Sequence, residues 1–182
     1  MILFIGLLLA LLLAWAISTY NRLIGLRNQV RTAWSDIDVQ LARRHDLVPQ
    51  LVSAVRAFAA HETAALQAVT ALRQRALATH TRPELAQAEE ELQRAIDHLL
   101  ALEESYPELK ANSNFLQLQR DLVQVEEQLQ YARRFYNGAV RDHNDAVERL
   151  PTRLLARPMG FPAEAFFSAD PARRIAPDVA QP

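Results

Sequence analysis

Residues 41–55, "LARRHDLVPQLVSAV", decide how the chain folds, because they join two apolar helical patterns through a charged stretch that contains a proline. A proline inside a helix removes one backbone hydrogen bond and clashes with the carbonyl four residues earlier, here that of His45. A helix that begins at Leu47 avoids both costs, since Pro49 then lies in its first turn. The proline therefore favours a new helix over a continuous one.

The charged residues of this stretch fit a corner between two helices. Asp46 can cap the second helix, and Arg43 and Arg44 fall in the last turn of the first helix, where cations are favoured. The sequence thus predicts a helix corner formed by Arg43, Arg44, His45, Asp46 and Pro49, with a kinked continuous helix as the alternative. At such a corner every charge has a structural role, and no catalytic site is needed to explain them.

The N-terminal segment is apolar and carries no charge up to Asn21. At 1.5 Å per residue, residues 2–20 span about 28 Å, which is enough to cross the hydrocarbon core of a bilayer. We therefore predict a transmembrane anchor over residues 1–19, with residues 2–20 in contact with the lipid bilayer.

The charges that flank the anchor predict its orientation. Three arginines follow the span between residues 22 and 31, and no basic residue precedes it. By the positive-inside rule the N-terminus lies outside and the rest of the chain is cytoplasmic, at the cell inner membrane. A cleaved signal peptide is the alternative, because residues 14–16, "AWA", have the form of a cleavage site. Cleavage there would release a periplasmic bundle.

Apolar residues recur with a helical period after the anchor. Residues 114–150 keep an alternating spacing of 3 and 4 over about five heptads, which predicts a helix that packs against others as in a coiled coil. Similar seams begin at Leu23, Val48 and Leu85. The predicted fold class is all-α: the N-terminal transmembrane helix continues into an antiparallel up-down four-helix bundle over residues 20–151.

Two segments follow the predicted bundle. Residues 152–170 are too apolar for a free tail, and we expect them to cap the open end of the bundle, with contact to lipid headgroups as the alternative. Residues 171–182 are rich in Pro, Ala and Arg, and we expect a disordered tail.

Several stretches of the chain resemble the LemA family of bacterial membrane proteins. They are "YNRLIGLRNQVRTAWSDIDVQLARRHDLVPQLVSAVRAFAAHE" (residues 20–62), "YPELKANSNFLQLQRDL" (106–122), "RFYNGAVRDHNDAVERLP" (134–151) and "GFPAEAFF" (160–167). The resemblance implies a single N-terminal span, a short external N-terminus and a cytoplasmic helical bundle. It implies no established catalytic activity.

The predicted corner fixes which residues of the first two helices lie opposite one another, and this predicts an ion pair. Glu62 falls in an apolar seam and needs a partner if it is buried. A corner near residue 45 places it opposite residue 27 or 28, so we predict an Arg27–Glu62 ion pair that fixes helix register.

Matching opposite positions along the antiparallel helices in the same way predicts that five polar residues lie close together near the membrane surface. It brings Tyr136, Asn137 and Arg141 toward Tyr20 and Asn21. These side chains could bind a lipid headgroup or a membrane partner, or they could form a hydrogen-bonded network between helices.

The sequence lacks the motifs of the common catalytic and metal sites. It has no Cys, no Gly-rich phosphate loop and no G-x-S-x-G, and none of its five His has a carboxylate three residues earlier. His61-Glu62 is not followed by the second His of a zinc motif. The net charge of −1 gives no attraction to nucleic acid. We therefore expect no catalytic residues, cofactor or metal, and we interpret the chain as a non-catalytic scaffold or regulator of a membrane-protein partner. A hydrolase or transferase with an unrecognised site is the alternative.

Overall fold

Helices account for 85% of the residues in a computed structural model that describes residues 2–79 and 81–167. In chain order they are α1 (Ile2–Phe58), α2 (Thr63–Ala78), α3 (Arg82–Ala101), α4 (Pro107–Lys110), α5 (Ser113–Glu148) and α6 (Arg153–Ala156). A 3₁₀ turn, Leu102–Glu104, follows α3. No strand occurs in the two described ranges, and the predicted all-α class is confirmed. The predicted disordered tail, residues 171–182, lies outside the described residues.

The chain divides into two compact units. The first unit combines the residues up to Asp38 with Gln130–Phe166, and the second comprises Val39–Leu129. Each unit has its own apolar core, because the seams of α1 and α5 are buried in both.

The N-terminal part of α1 has the length and composition of a membrane span. The 18-residue apolar window within it is 6% buried, so its side chains point away from the protein. Leu3, Leu9 and Leu13 are more than half exposed. A signal sequence has the same properties, and the segment is therefore a candidate for either role.

The prediction of a helix corner at Arg43, Arg44, His45, Asp46 and Pro49 is wrong, since α1 runs through all five residues to Phe58. The kinked-helix alternative correctly kept this stretch helical. The chain turns later, at residues 59–62. There the Glu62 N–H donates to the Ala59 carbonyl at 3.1 Å, and α2 begins at the next residue.

A side chain from α2 explains how α1 tolerates its proline. Pro49 has no N–H, so the His45 carbonyl lacks its usual donor within the helix. The Arg73 Nε–H donates to that carbonyl at 2.7 Å. His45 is 6% exposed and this hydrogen bond is partly buried, so water has limited access to the carbonyl if Arg73 is removed. The hydrogen bond that Pro49 removes from the helix is therefore replaced by a hydrogen bond from another helix.

Four long helices and the short α4 contribute to the core of the second unit. The C-terminal part of α1 supplies every third or fourth residue, and α2, α3, Leu109 of α4 and the first half of α5 pack against it. Fully buried apolar residues of this core are Val48, Leu51, Val55, Ala59, Val69, Ala88, Leu92, Ile96, Leu99, Leu109, Phe115 and Val125. The Asn112 side chain caps α5 by accepting the Phe115 N–H at 2.9 Å.

The core of the first unit includes the segment that follows α5. Leu23 of α1 packs with Ala146 and Val147 of α5 and with Ala156 and Phe161 from the C-terminal segment. Gly160 precedes Phe161 with a φ of +72°, a conformation in which glycine carries no steric cost. The turn at Gly160 therefore allows Phe161 to reach the core.

Substitution of Arg73 tests the compensation of Pro49. Arg73→Met keeps most of the side-chain length but removes the donor, and it should lower the free energy of unfolding by about 1–3 kcal/mol, the cost of an unsatisfied buried carbonyl. Pro49→Ala restores a backbone donor to the same carbonyl. Arg73→Met should therefore cost much less in a Pro49→Ala background. Urea denaturation of the four chains measures both values, and equal losses in the two backgrounds would refute the explanation.

Candidate functional site

Two residues of the stretch 41–55, Arg44 and His45, belong to a buried ion-pair network in the second unit. Arg44 of α1 is 1% exposed, and its Nη1 lies 3.2 Å from Oε2 of Glu89, which is completely buried in α3. The Arg44 Nη2 donates to Glu126 of α5. The His45 Nε2 lies 2.7 Å from the second Glu89 oxygen, and it donates there because the carboxylate accepts. Three helices are thus joined through four ionisable side chains.

The positions of these groups follow from the helical period. Arg44 lies three residues after Leu41 and four before Val48, on the face of α1 that is buried. Glu89 lies three residues before Leu92 and shares the buried face of α3. Burial of a charge is costly unless it is paired and hydrogen-bonded, and here each charge has a partner. The network therefore specifies which helices meet and in which register.

The other residues of the predicted corner lie on the surface. Arg43 is exposed and its Nη2 donates to the Gln124 side chain at 3.4 Å. Asp46 and Pro49 are exposed as well. The five residues therefore do not form one site, and only Arg44 and His45 enter the network. Sequence reasoning missed Glu89 and Glu126, which lie in the acidic runs "AEEEL" and "VEEQL". A signal for Arg44 was present, since it occupies a seam position between Leu41 and Val48.

The predicted Arg27–Glu62 ion pair is wrong, because its premise, a fold-back near residue 45, does not hold. Glu62 instead accepts a hydrogen bond from the Tyr106 hydroxyl at 3.0 Å. The Arg27 guanidinium lies 4.9 Å from the centre of the Phe161 ring, within the range of a cation–π contact. The Glu62 carboxylate raises the pKa of Tyr106 above its ordinary 10.0, first through this hydrogen bond and then with burial and charge repulsion.

The predicted cluster of Tyr20, Asn21, Tyr136, Asn137 and Arg141 is also wrong as a single site. The Tyr136 ring packs edge-to-face on Trp34 at 5.3 Å. Trp34 lies fourteen residues beyond Tyr20 on α1, which is about 21 Å along the helix.

The members of this cluster have separate surroundings. Tyr20 packs edge-to-face on Phe161 at 5.8 Å, and Asn21 is exposed on α1. Arg141 is exposed, with its Nε 3.8 Å from Asp142. Asn137 follows Tyr136 directly on α5 and is therefore at the level of Trp34. The matching of opposite positions failed because it started from the wrong corner.

Polar side chains of α5 hold the extended C-terminal segment against the first unit. The Tyr136 hydroxyl donates to the Ala165 carbonyl at 2.8 Å, and the His143 Nε2 donates to the Pro162 carbonyl at 3.0 Å. Asn144 makes two hydrogen bonds with the backbone of Glu164, as donor at 2.9 Å and as acceptor at 2.8 Å. These side chains replace the backbone partners that an isolated extended segment lacks.

A cleft in the first unit brings charged side chains of α1 and α5 together. Its volume is about 470 Å³. The residues that line it are Trp15, Thr19, Arg22 and Leu26 of α1, Asp142, Asp145 and Ala146 of α5, and Arg149, Leu150, Pro151 and Thr152 just after α5. The Arg149 Nη2 lies 3.3 Å from the Asp145 carboxylate. The cleft thus contains two guanidinium groups and two carboxylates at the end of the apolar part of α1.

No metal cluster is evident in the part of the chain that the structure describes. No group of three or more His, Asp or Glu side chains within residues 2–79 and 81–167 is arranged to hold a metal ion.

Comparison with known proteins matches residues 33–180 to the LemA family, which is most of the chain. The resemblance drawn from the sequence is confirmed. No curated protein matches the chain.

Neutralisation of Glu89 tests the importance of the buried network. Glu89→Gln should lower the free energy of unfolding by about 3–5 kcal/mol, because it leaves Arg44 and His45 buried with weakened partners. Glu91→Gln is the matched control on the same helix. It breaks the exposed pair with Arg75 and should cost less than about 1 kcal/mol. Similar losses for the two variants in urea denaturation would contradict the structural role of Glu89.

The Tyr106–Glu62 contact predicts a shifted tyrosine titration. The tyrosinate absorbance of the wild type minus that of Tyr106→Phe should rise at a pH above 10.0. Glu62→Gln should move this rise toward 10.0, whereas Glu108→Gln, at an exposed site nearby, should not. Because the folded pKa exceeds the unfolded one, the contact stabilises fully below pH 10.0 and is lost as the pH rises through the folded pKa. A titration unchanged by Glu62→Gln would exclude this contact as the cause.

Proposed function

The chain belongs to the LemA family, and from this premise we propose that it is a membrane-anchored helical protein that acts as a non-catalytic scaffold or regulator of membrane-associated partners. In this proposal the N-terminal part of α1 crosses the inner membrane with the N-terminus outside. The remaining helices face the cytoplasm, as the arginines between residues 22 and 31 favour.

The exposed apolar surface of α1 is the observation that carries the proposal. Large apolar side chains between Leu3 and Ile17 are 36–90% exposed, all around the helix. Soluble proteins rarely expose a continuous apolar surface larger than a few hundred Å². At about 25 cal/mol per Å², covering such a surface is strongly favourable, and a bilayer can cover every face of an isolated helix.

The pairing of the ionisable groups supports a non-catalytic role. A catalytic group must reach substrate, but Arg44, His45 and Glu89 are buried and bonded to one another. The same unit has a cavity of about 250 Å³, whose wall includes Pro49 and Arg73. Arg44, His45 and Glu89 are not in that wall.

The shared core of the second unit supports a bundle of four helices. We propose that α1, α2, α3 and α5 are the four members, in place of the helices expected from a corner near residue 45. The buried seam residues of all four lie in one apolar core there, as packing in an antiparallel bundle requires.

Membrane fractionation of the full chain tests the anchor. The intact protein should remain in the membrane pellet after an alkaline wash, and its mass should show that residues 14–16 are retained. Leu8→Arg with Leu12→Arg should release or destabilise the protein, because each arginine at mid-span costs about 2.5–3.5 kcal/mol. The control is Val39→Arg with Leu77→Arg, at apolar sites that are exposed outside the span, and it should remain in the pellet.

Proximity labelling with the same set of chains tests the scaffold role. A labelling enzyme fused to the C-terminus should mark a defined set of membrane proteins with the wild type and the control pair, and lose that set with the Leu8 and Leu12 pair. Cleavage after Ala16, or labelling that does not change when the anchor is broken, would overturn the proposal.

A further inference from the structure

We propose that the cleft between α1 and α5 in the first unit binds the headgroup of a phospholipid with a primary amine, of the phosphatidylethanolamine type. The inference rests on the proposed function, since the lipid must belong to the membrane that α1 crosses.

The position of the cleft matches the headgroup layer. Its α1 wall runs from Trp15 to Leu26, which is about 16 Å along the helix, and the part from Trp15 to Arg22 lies at the end of the apolar run. The headgroup region on one side of a bilayer is about 5–8 Å thick. Tryptophan is enriched at this interface, and Arg22 is the first charged residue after the apolar run. A lipid headgroup beside α1 would therefore lie at the mouth of the cleft.

The charges of the cleft match a zwitterion. Arg22 and Arg149 supply two guanidinium groups, which bind phosphate through paired hydrogen bonds. Asp142 and Asp145 supply two carboxylates, which accept from an ammonium group with three N–H donors. An anionic headgroup without an ammonium group, such as that of phosphatidylglycerol, would leave these two carboxylates without a cation, and a quaternary amine has no N–H to donate to them.

The ion pair within the cleft, Arg149–Asp145, is weak and can be exchanged for a ligand. The Arg149 and Asp145 side chains are 76% and 53% exposed and 3.3 Å apart. Asp142, the other carboxylate of the cleft, is paired with Arg141 outside the lining, at 3.8 Å, and both side chains are more than half exposed. Exposed pairs of this kind contribute little to stability. A headgroup that offers a phosphate and an ammonium can therefore replace the Arg149–Asp145 pair with two charge-assisted contacts.

The size of the cleft and its apolar border fit the remainder of a lipid. A volume of about 470 Å³ is within the range of small-molecule sites. Leu150 in its wall is 72% exposed and Leu154 is 68% exposed. Together with the apolar part of α1, these side chains give acyl chains a surface to contact.

Lipid binding by the full chain tests the proposal. The purified protein in mild detergent is mixed with phosphatidylethanolamine, phosphatidylcholine or phosphatidylglycerol, and the bound lipid is counted by native mass spectrometry. We expect phosphatidylethanolamine to be retained about tenfold better than either competitor, the difference expected for charge-assisted hydrogen bonds to the amine.

Two pairs of substitutions separate the parts of the site. Asp142→Asn with Asp145→Asn should abolish the preference over phosphatidylcholine and raise the retention of phosphatidylglycerol. Arg22→Gln with Arg149→Gln should reduce the retention of all three lipids. Unfolding would change the retention of all three lipids together, because exposed apolar surface does not select a headgroup. A gain for phosphatidylglycerol alone therefore remains informative even if the first pair lowers stability.

Matched controls change the same charges at exposed sites elsewhere. Asp97→Asn with Glu127→Gln, and Arg94→Gln with Arg120→Gln, should leave lipid selectivity unchanged.

The outcomes distinguish this inference from the proposed function. Equal retention of the three lipids, or preference for phosphatidylglycerol by the wild type, would overturn the inference while an anchored chain left the proposed function intact. A chain cleaved after Ala16 and absent from membranes would fail the proposed function, and with it the inference.

Discussion

The hydrogen bond from Arg73 to the His45 carbonyl is the interaction on which the arrangement of the chain depends. It lets α1 continue past Pro49, and a continuous α1 carries Arg44 and His45 into the middle of a packed helix. At a helix corner these two side chains would have remained near water. Within the helix they face the interior of the second unit, where they require Glu89 as a partner. One contact from α2 therefore stabilises the continuous course of the longest helix, and that course in turn requires a buried network.

The buried network adds specificity that an apolar core alone would not supply. Apolar seams tolerate sliding by one heptad, because one Leu or Val resembles the next. The Arg44 guanidinium reaches Glu89 and Glu126 at the same time, and this geometry exists in only one register of α1, α3 and α5. Other registers would bury an unpaired charge, which costs several kcal/mol. The continuity of α1 at Pro49 and the register of α1, α3 and α5 are thus linked, because Arg44 and His45 lie close to Pro49 on the same helix.

The helical character of the chain was predictable because each seam is a local pattern. The seam predicted over residues 114–150 corresponds to α5, Ser113–Glu148, within two residues at either end. The corner was not predictable by the same means. The costs of Pro49 are local and visible in the sequence, whereas the compensating donor, Arg73, lies twenty-four residues further along the chain. One local sign did favour a continuous helix: residues 37, 41, 44, 48, 51 and 55 keep the alternating spacing without a break. Arg44 is the one charged residue in that apolar seam, but it keeps the spacing of the seam.

The error at the corner also determined which parts of the candidate site could be found. In an antiparallel pair of helices, the position of the turn decides which residues lie opposite one another. A corner misplaced by about fifteen residues therefore shifts each predicted pair of neighbours by several helical turns. Tyr136 therefore meets Trp34, and the polar groups beside the apolar part of α1 come from residues 142–152 instead. Those groups are balanced in charge, as is the whole chain, so composition gives no sign of them. Such a site can be recognised only when it is known which residues of the two helices lie side by side. Its chemistry depends on which opposite charges share the cleft, and the total number of charges in the chain does not reveal this.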